Sequence, residues 1–213
     1  MATKIAFLDC DGTLTTVRSS WEHLHRRLGL WTENADEYQA LFRQGGIDYH
    51  EFCRRDALLW KGLNLDSVLP VLNDIPYQPG AHDLVRSLKE AGIITVIIST
   101  GLSFLIEKVK NELGIDRTFA NDLLVVQGVL SGEIRINVDY DMKGDIVRAT
   151  LNDLGLAFDE ASAIGDGEGD RGMFEAVGLP IAFNMNGGPA GLPGRTRHIK
   201  ELREAKYLLG VAR

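Results

Sequence analysis

Cysteine is scarce in this chain: only Cys10 and Cys53 occur among 213 residues. Two thiols suggest neither a disulfide framework nor a zinc cluster, so a reduced, cytoplasmic setting is expected. Cys10 is expected to pack as a small apolar residue. Long apolar runs are also missing. None reaches the length of a membrane span, and none long enough for a secretory leader precedes Asp9. Basic charge is in deficit, with 23 Lys and Arg against 30 Asp and Glu, a net charge of −7. That sign disfavours a nonspecific nucleic-acid coat or an anionic membrane surface as partner. Internal repeats and low-complexity tracts are absent. The hydrophobic content, 45%, is that of an ordinary globular protein. The length suits one α/β domain, or a core domain plus an insertion.

Strand-like and helix-like segments alternate, which predicts βαβ units and a parallel sheet. Ile5 to Leu8 reads as a buried strand. From about Thr16 to Tyr77 no convincing strand follows. Trp21, Leu24 and Leu28 share one helical face. Tyr49, Phe52, Leu58 and Leu59 suggest a second helix, and Leu65, Val68, Leu69 and Leu72 a third. This stretch reads as a helical insertion, and Gln78-Pro79-Gly80 marks the return to the core. Ala81, Leu84, Val85, Leu88 and Ala91 form a further stripe closed by Gly92. Ile93 to Ile98 is an almost continuous β-branched run, expected of a strand buried on both faces. Ser103 is expected to cap the next helix, which ends at Gly114. Leu123 to Val138 reads as a β-hairpin around Gly128, and Lys143 opens a helix ended by Gly155. Ala161 to Ile164 and Leu179 to Phe183 read as short strands, Asn186 to Arg197 as a loop, and the segment with Leu202, Ala205 and Leu208 or Leu209 as a final helix.

Chemistry gathers where strands end. Asp9-Cys10-Asp11-Gly12-Thr13 follows the first strand, at the edge where open α/β sheets bind ligands. Two carboxylates one residue apart repel unless a cation or a shared proton neutralises them. A hard divalent cation is the economical partner, with Mg²⁺ the first expectation. A plain strand-ending turn remains the alternative, since Asp and Gly are common turn formers. A calcium loop would need a preceding helix and a glutamate near its end, which this segment lacks. Ile164-Gly165-Asp166-Gly167-Glu168-Gly169-Asp170 repeats the pattern of an apolar strand running into an acidic, Gly-rich turn. It reads as a metal cradle or a solvated acidic loop. Ser99-Thr100-Gly101 can hold an anion or simply precede a helix. Lys143 opposes the dipole of the helix it opens, although Asp141 and Asp145 partly compensate.

Taken in order, these segments resemble the haloacid dehalogenase superfamily of phosphohydrolases. Its motifs are D-x-D-G-T, a Ser or Thr after the next core strand, a lysine often followed by Gly, and G-D-x-x-x-D. Here they correspond to Asp9–Thr13, Ser99, Lys143-Gly144 and Gly165–Asp170. Ala120-Asn121 to Gly132 and Ile181-Ala182-Phe183-Asn184 look most like the phosphoserine phosphatase branch. The resemblance implies a Rossmann-like, doubly wound α/β core formed by residues 1–15 and 78–213. Residues 16–77 would be an inserted helical cap of the C1 type. It implies a Mg²⁺-dependent phosphomonoesterase acting on a small phosphorylated metabolite, as a monomer or homodimer. Asp9 would be the nucleophile and Asp11 the acid and base. Ser99, Lys143 and N–H groups near Gly12 and Gly101 would grip the phosphoryl oxygens, with Thr100 beside them. The cation would be held by Asp9, the Asp11 carbonyl and Asp166, with Asp170 a ligand or its support. Glu168 is expected to be solvated.

The sequence departs from that branch in several places. Phosphoserine enzymes place a glutamate where Arg18 stands and a cap arginine where an ungapped alignment puts Asp56, beside Arg54 and Arg55. Thr100 replaces a glycine, and Gly169 an asparagine. A reversed charge at Arg18 would repel an ammonium group, so the expected substrate is a phosphate ester other than phosphoserine. Arg18 would face an anionic or hydroxyl-rich leaving group, or lie on the surface. Trp21, Trp60 and His50 are candidates to line the pocket. Three other readings stay open at this point: phosphoserine phosphatase proper, a phosphotransferase or mutase, and a non-catalytic phospho-ligand binding protein.

Overall fold

The strand β1 (Ile5–Leu8) is wholly buried and lies near the middle of the sheet. The structure, a computed structural model, describes residues 2–31, 33–185 and 191–212. Seven strands form one sheet in the order β4-β3-β2-β1-β5-β6-β7. The remaining strands are β2 (Ile94–Leu102), β3 (Arg117–Val126), β4 (Val129–Arg135), β5 (Ala161–Gly165), β6 (Leu179–Phe183) and β7 (Arg197–Ile199). All neighbours pair in parallel except the β3–β4 hairpin. β1 sends Ala6 and Leu8 into one apolar layer, with Leu84, Leu88 and Ile97. Ile5 and Phe7 enter the other, with Val147 and Phe174. Burial on both faces is why these strands read as unbroken apolar runs.

Helices cover both layers. Those after the insertion are α5 (Ala81–Glu90), α6 (Ser103–Leu113), α7 (Lys143–Leu154), α8 (Arg171–Glu175) and α9 (Leu202–Leu208). In α5 the buried residues Ala81, Leu84, Val85 and Leu88 form the predicted stripe. Each large apolar side chain so buried stabilises the fold by about 1.5–3 kcal/mol. The fold is the doubly wound α/β architecture the sequence predicts. Strand order reverses at β1: β2 lies on one side and β5 on the other. The turns after β1 and β5 therefore meet at the switch point, where such sheets bind ligands.

Between β1 and α5 the chain forms α1 (Ser20–Arg27), α2 (Glu33–Arg43), α3 (Tyr49–Leu58) and α4 (Leu65–Asn73). The chain leaves and returns at one place. Thr15 bridges Tyr77, Thr16 N donates to the Pro76 carbonyl at 3.0 Å, and Gln78 N donates to the Leu14 carbonyl at 2.9 Å. Three backbone hydrogen bonds sew the insertion to the hairpin: Gly62 N to Leu130 O, Leu65 N to Gly128 O, and Leu130 N to Leu63 O.

Several expectations need correction. α2 has no counterpart in the predicted helices, although Ala35, Tyr38, Leu41 and Phe42 fall at helical spacing within it. β2 runs on through Ser99-Thr100-Gly101 to Leu102, with a register shift against β3 between Ile98 and Leu102. Ser103 does not cap α6: it is the first helical residue, and Leu102 at the cap position supplies no side-chain bond. The hairpin begins earlier than predicted, since β3 first pairs with β2 at Arg117 to Phe119 and then bends away to meet β4. The expected loop from Asn186 to Arg197 lies partly outside the described residues, and its last residue opens β7. Among the described residues, no helix is long and apolar enough to cross a membrane.

Candidate active site

The turn after β1 is built around one carbonyl. Cys10 O accepts from the backbone N–H groups of Thr13, Leu14 and Thr15 at 3.2, 2.9 and 3.0 Å. Gly12 sits at φ +82°, and a Cβ there would overlap the Asp166 carboxylate. This left-handed, crowded position needs glycine and brings the two acidic turns together. Thr13 Oγ1 lies 3.4 Å from Asp9 Oδ2 and 3.2 Å from Asp166 Oδ1, within reach of either as donor.

Asp9, Asp166 and Asp170 each place a carboxylate oxygen within 4.8 Å of the others. Lys143, at the start of α7, enters this group from the side. Its ammonium donates to Asp9 Oδ1 and to Asp170 Oδ1, each at 2.6 Å, and all three side chains are buried. The other Asp170 oxygen accepts from Gly167 N at 3.0 Å. Burial pushes the Asp9 carboxyl well above the usual range; Asp170 and Asp166 push the same way, against the pull of Lys143. Burial and Asp170 raise Asp166 to about 6, while Thr13, Arg18 and Lys143 pull it down. Burial alone would lower Lys143, but the charges of Asp170 and Asp9 outweigh it and raise the ammonium. One ammonium thus faces three carboxylates, which leaves negative charge for a cation to neutralise. The oxygen-only donor set fits a hard divalent ion such as Mg²⁺.

Asp11 is held differently. Its Oδ2 accepts from Ser20 N, at the start of α1, at 2.6 Å. Its Oδ1 is buried and has no hydrogen-bond partner among the described residues. Burial raises its carboxyl, and the bonds from Ser20 counter that in part. Nearby, Ser99 Oγ accepts from Gly101 N at 3.0 Å. A Cβ on Gly101 would stand 3.0 Å from both Asp11 Oδ2 and Ser99 Oγ. The Thr100 carbonyl gathers Trp21 Nε1 at 3.1 Å, Tyr49 Oη at 3.3 Å and Asn121 Nδ2 at 3.2 Å. Trp21 and Tyr49 come from the insertion and Asn121 from β3, so this one carbonyl ties the insertion to the sheet.

Of the residues singled out by the sequence, Asp9, Asp11, Gly12, Asp166 and Asp170 lie in the two acidic turns, Ser99, Thr100 and Gly101 at the end of β2 beside them, and Lys143 at the start of α7. Glu168 is exposed. Arg18 is exposed too, though near enough for its charge to act on Asp166. Trp21 lines a cavity of about 480 Å³ beside Thr100, whereas Trp60 and His50 do not. Trp60 is core, and His50 pairs with Asp139 at 2.9 Å on the surface. Thr13 and Asn121 were not singled out by the sequence. Thr13 carried a signal as the last residue of the first motif. Nothing in the order of residues marks Asn121 as a partner of Tyr49.

The model of the haloacid dehalogenase-like hydrolase family matches residues 6–175. The phosphoserine phosphatase of Archaeoglobus fulgidus is 34% identical over 182 residues, covering 85% of this chain and 52% of that protein. The probable phosphoserine phosphatase of Schizosaccharomyces pombe is 33% identical over 214 residues, covering 98% of this chain and 70% of that protein. This chain therefore spans about half the length of the Archaeoglobus relative. A solved phosphoserine phosphatase, described as a phospho-aspartyl intermediate analogue, superposes with a TM-score of 0.81 at 27% identity, covering 97% of this chain and 99% of that one. A substrate-bound phosphoserine phosphatase gives 0.82 at 26% identity, with the same coverage. With its motif turns meeting at the sheet's switch point and most of its length matched, the chain belongs to the haloacid dehalogenase-like hydrolase family.

Proposed function

We propose that the protein is a divalent-cation-dependent phosphomonoesterase working through an aspartyl-phosphate on Asp9. The observation that carries this reading is the Asp9–Lys143–Asp170 array beside Asp166, with Asp11 two residues from Asp9. Asp9 attacks phosphorus: its carboxylate oxygen bonds to phosphorus, and the ester P–O bond breaks. Asp11 gives its proton to the departing alkoxide. Its raised carboxyl and its unpartnered, buried Oδ1 suit a group that arrives protonated. Asp11 then takes a proton from the attacking water, the Asp9–phosphorus bond breaks, and inorganic phosphate leaves.

Asp9, the Asp11 carbonyl, Asp166 and Asp170 would hold Mg²⁺, with Asp170 also fixing Lys143. The bound cation would shield the phosphate from the Asp9 carboxylate. Ser99, Lys143 and backbone N–H groups near Gly12 and Gly101 meet the phosphoryl oxygens, Thr100 flanks the leaving alcohol, and Arg18, exposed and outside the cavity's lining, acts through its charge on Asp166. Such catalysis is mostly positioning and charge compensation. Residues 16–77 act as a cap over a core of residues 1–15 and 78–213, since the chain leaves and re-enters the core through one pair of adjacent strands of backbone. The substrate is a small phosphorylated metabolite, and the setting cytoplasmic.

The direct test is Asp9→Asn. It should abolish phosphate release from any substrate the wild type hydrolyses, with circular dichroism and melting temperature retained. Turnover by a folded Asp9→Asn protein would reject Asp9 as nucleophile.

A further inference from the structure

The insertion and the sheet enclose a cavity of about 480 Å³ against the phosphoryl site. Its lining includes chain neighbours of the catalytic residues. Thr100 lines it and adjoins Ser99. Ser19 lines it and adjoins Ser20, which holds Asp11. Glu168, from the second acidic turn, stands on its rim. On the phosphomonoesterase reading, the alcohol of the ester would occupy this space, and its walls would select that alcohol.

Six aromatic side chains line it: Trp21, Trp31, Phe42, Tyr49, Phe52 and Tyr140. Phe42 organises one wall, stacked on Phe52 at 5.1 Å and edge-on to Tyr140 at 5.5 Å. A wall of this size and composition recognises a bulky ring or apolar body, and is far too large for serine. Among the described residues, three carboxylates reach the cavity, from Glu22, Asp56 and Glu168, against the single guanidinium of Arg43. Asp56 is buried, and its ionic neighbour is His25 Nε2 at 3.4 Å. His25 is buried against Trp60, ring centroids 4.4 Å apart, and neither of its nitrogens has a hydrogen-bond partner among the described residues. Asp56 is thus a weakly partnered acceptor facing a chamber whose lining mixes aromatic rings with polar groups. It selects a hydrogen-bond donor and disfavours a second anion.

We propose that the substrate is the phosphate monoester of an aromatic alcohol that is neutral or cationic. The proposal rests on the phosphomonoesterase reading above. The test is a series of esters whose leaving alcohols differ little in basicity: benzyl phosphate, 4-(aminomethyl)benzyl phosphate, 4-carboxybenzyl phosphate and L-phosphoserine, with Mg²⁺. Acetyl phosphate, too small to use the walls, reports the core chemistry. Benzyl and aminomethylbenzyl phosphate should exceed phosphoserine in kcat/KM by about tenfold or more, with the carboxybenzyl ester the poorest of the ring series. Phe42→Leu should lower the benzyl-to-phosphoserine ratio about tenfold, and Asp56→Asn should erase the aminomethyl ester's advantage over the carboxy ester. Hydrolysis of acetyl phosphate with phosphoserine preferred, or with the carboxy ester preferred, overturns the substrate assignment alone. No hydrolysis of any compound, acetyl phosphate included, overturns the phosphomonoesterase reading and this assignment with it.

Discussion

Lys143 is costly on two counts: it is buried, and it stands in the first turn of α7, where the helix dipole repels a cation. Only the carboxylates of Asp9 and Asp170, each at 2.6 Å, make that position tolerable. The converse also holds, since those carboxylates are tolerable only beside Lys143. Lys143→Met should therefore destabilise the metal-free protein by about 3 kcal/mol at neutral pH, because it strands two buried carboxylates. The loss should shrink at pH 5, where the Asp9 carboxyl, raised by burial, can take up a proton. Urea unfolding in EDTA at the two pH values measures it, and equal losses at both would mean the three groups do not act as a unit. The anomaly was legible in the sequence, since a lysine opening a helix invites an explanation. The depth of its burial was not, because that depends on how closely two distant acidic turns approach.

At the scale of elements, the strands and the long amphipathic helices were legible because apolar periodicity and burial have the same cause. α2 was missed although Ala35, Tyr38, Leu41 and Phe42 fall at helical spacing in it, and β7 because three residues carry no period. The end of β2 was misplaced because Ser99, Thr100 and Gly101 read as a turn, whereas the strand runs on past a register shift and pairs with β3 again at Leu102. Asn121 explains how that junction holds. Its amide donates to Tyr49 Oη, the Thr100 carbonyl and the Val138 carbonyl, and accepts from Asn137 N and Val138 N. One buried side chain thus joins strand, loop and insertion. Asn121→Ala should lower stability by about 3 kcal/mol, since several buried partners lose their bonds together. Tyr49→Phe, which removes one hydroxyl from the same network, should cost about 1 kcal/mol. Comparable losses from the two substitutions in thermal melts would show that Asn121 is not the hub.

For the whole molecule, the decisive quantity is the charge gathered at the switch point. The chain's net charge of −7 includes Asp9, Asp11 and Asp166, which hold theirs inside, where burial raises each carboxyl. The sign of the consequence follows from linkage. A carboxyl whose folded value lies above its unfolded value binds more protons folded than unfolded between the two. Each such group therefore subtracts from stability as pH rises through that window. For Asp166 the window runs from the ordinary carboxylate value near 4 up to about 6. A divalent cation binds the deprotonated form, so it removes this penalty where it is fully developed, above the window, and competes with protons inside it. The rise in melting temperature on adding Mg²⁺ should therefore be larger at pH 7.5 than at pH 5. Asp166→Asn should reduce both the rise and its pH dependence. Differential scanning calorimetry with Mg²⁺ and with EDTA at the two pH values decides it. An equal rise at both would separate cation binding from the buried carboxylates, and remove the electrostatic reason for bringing the two acidic turns together.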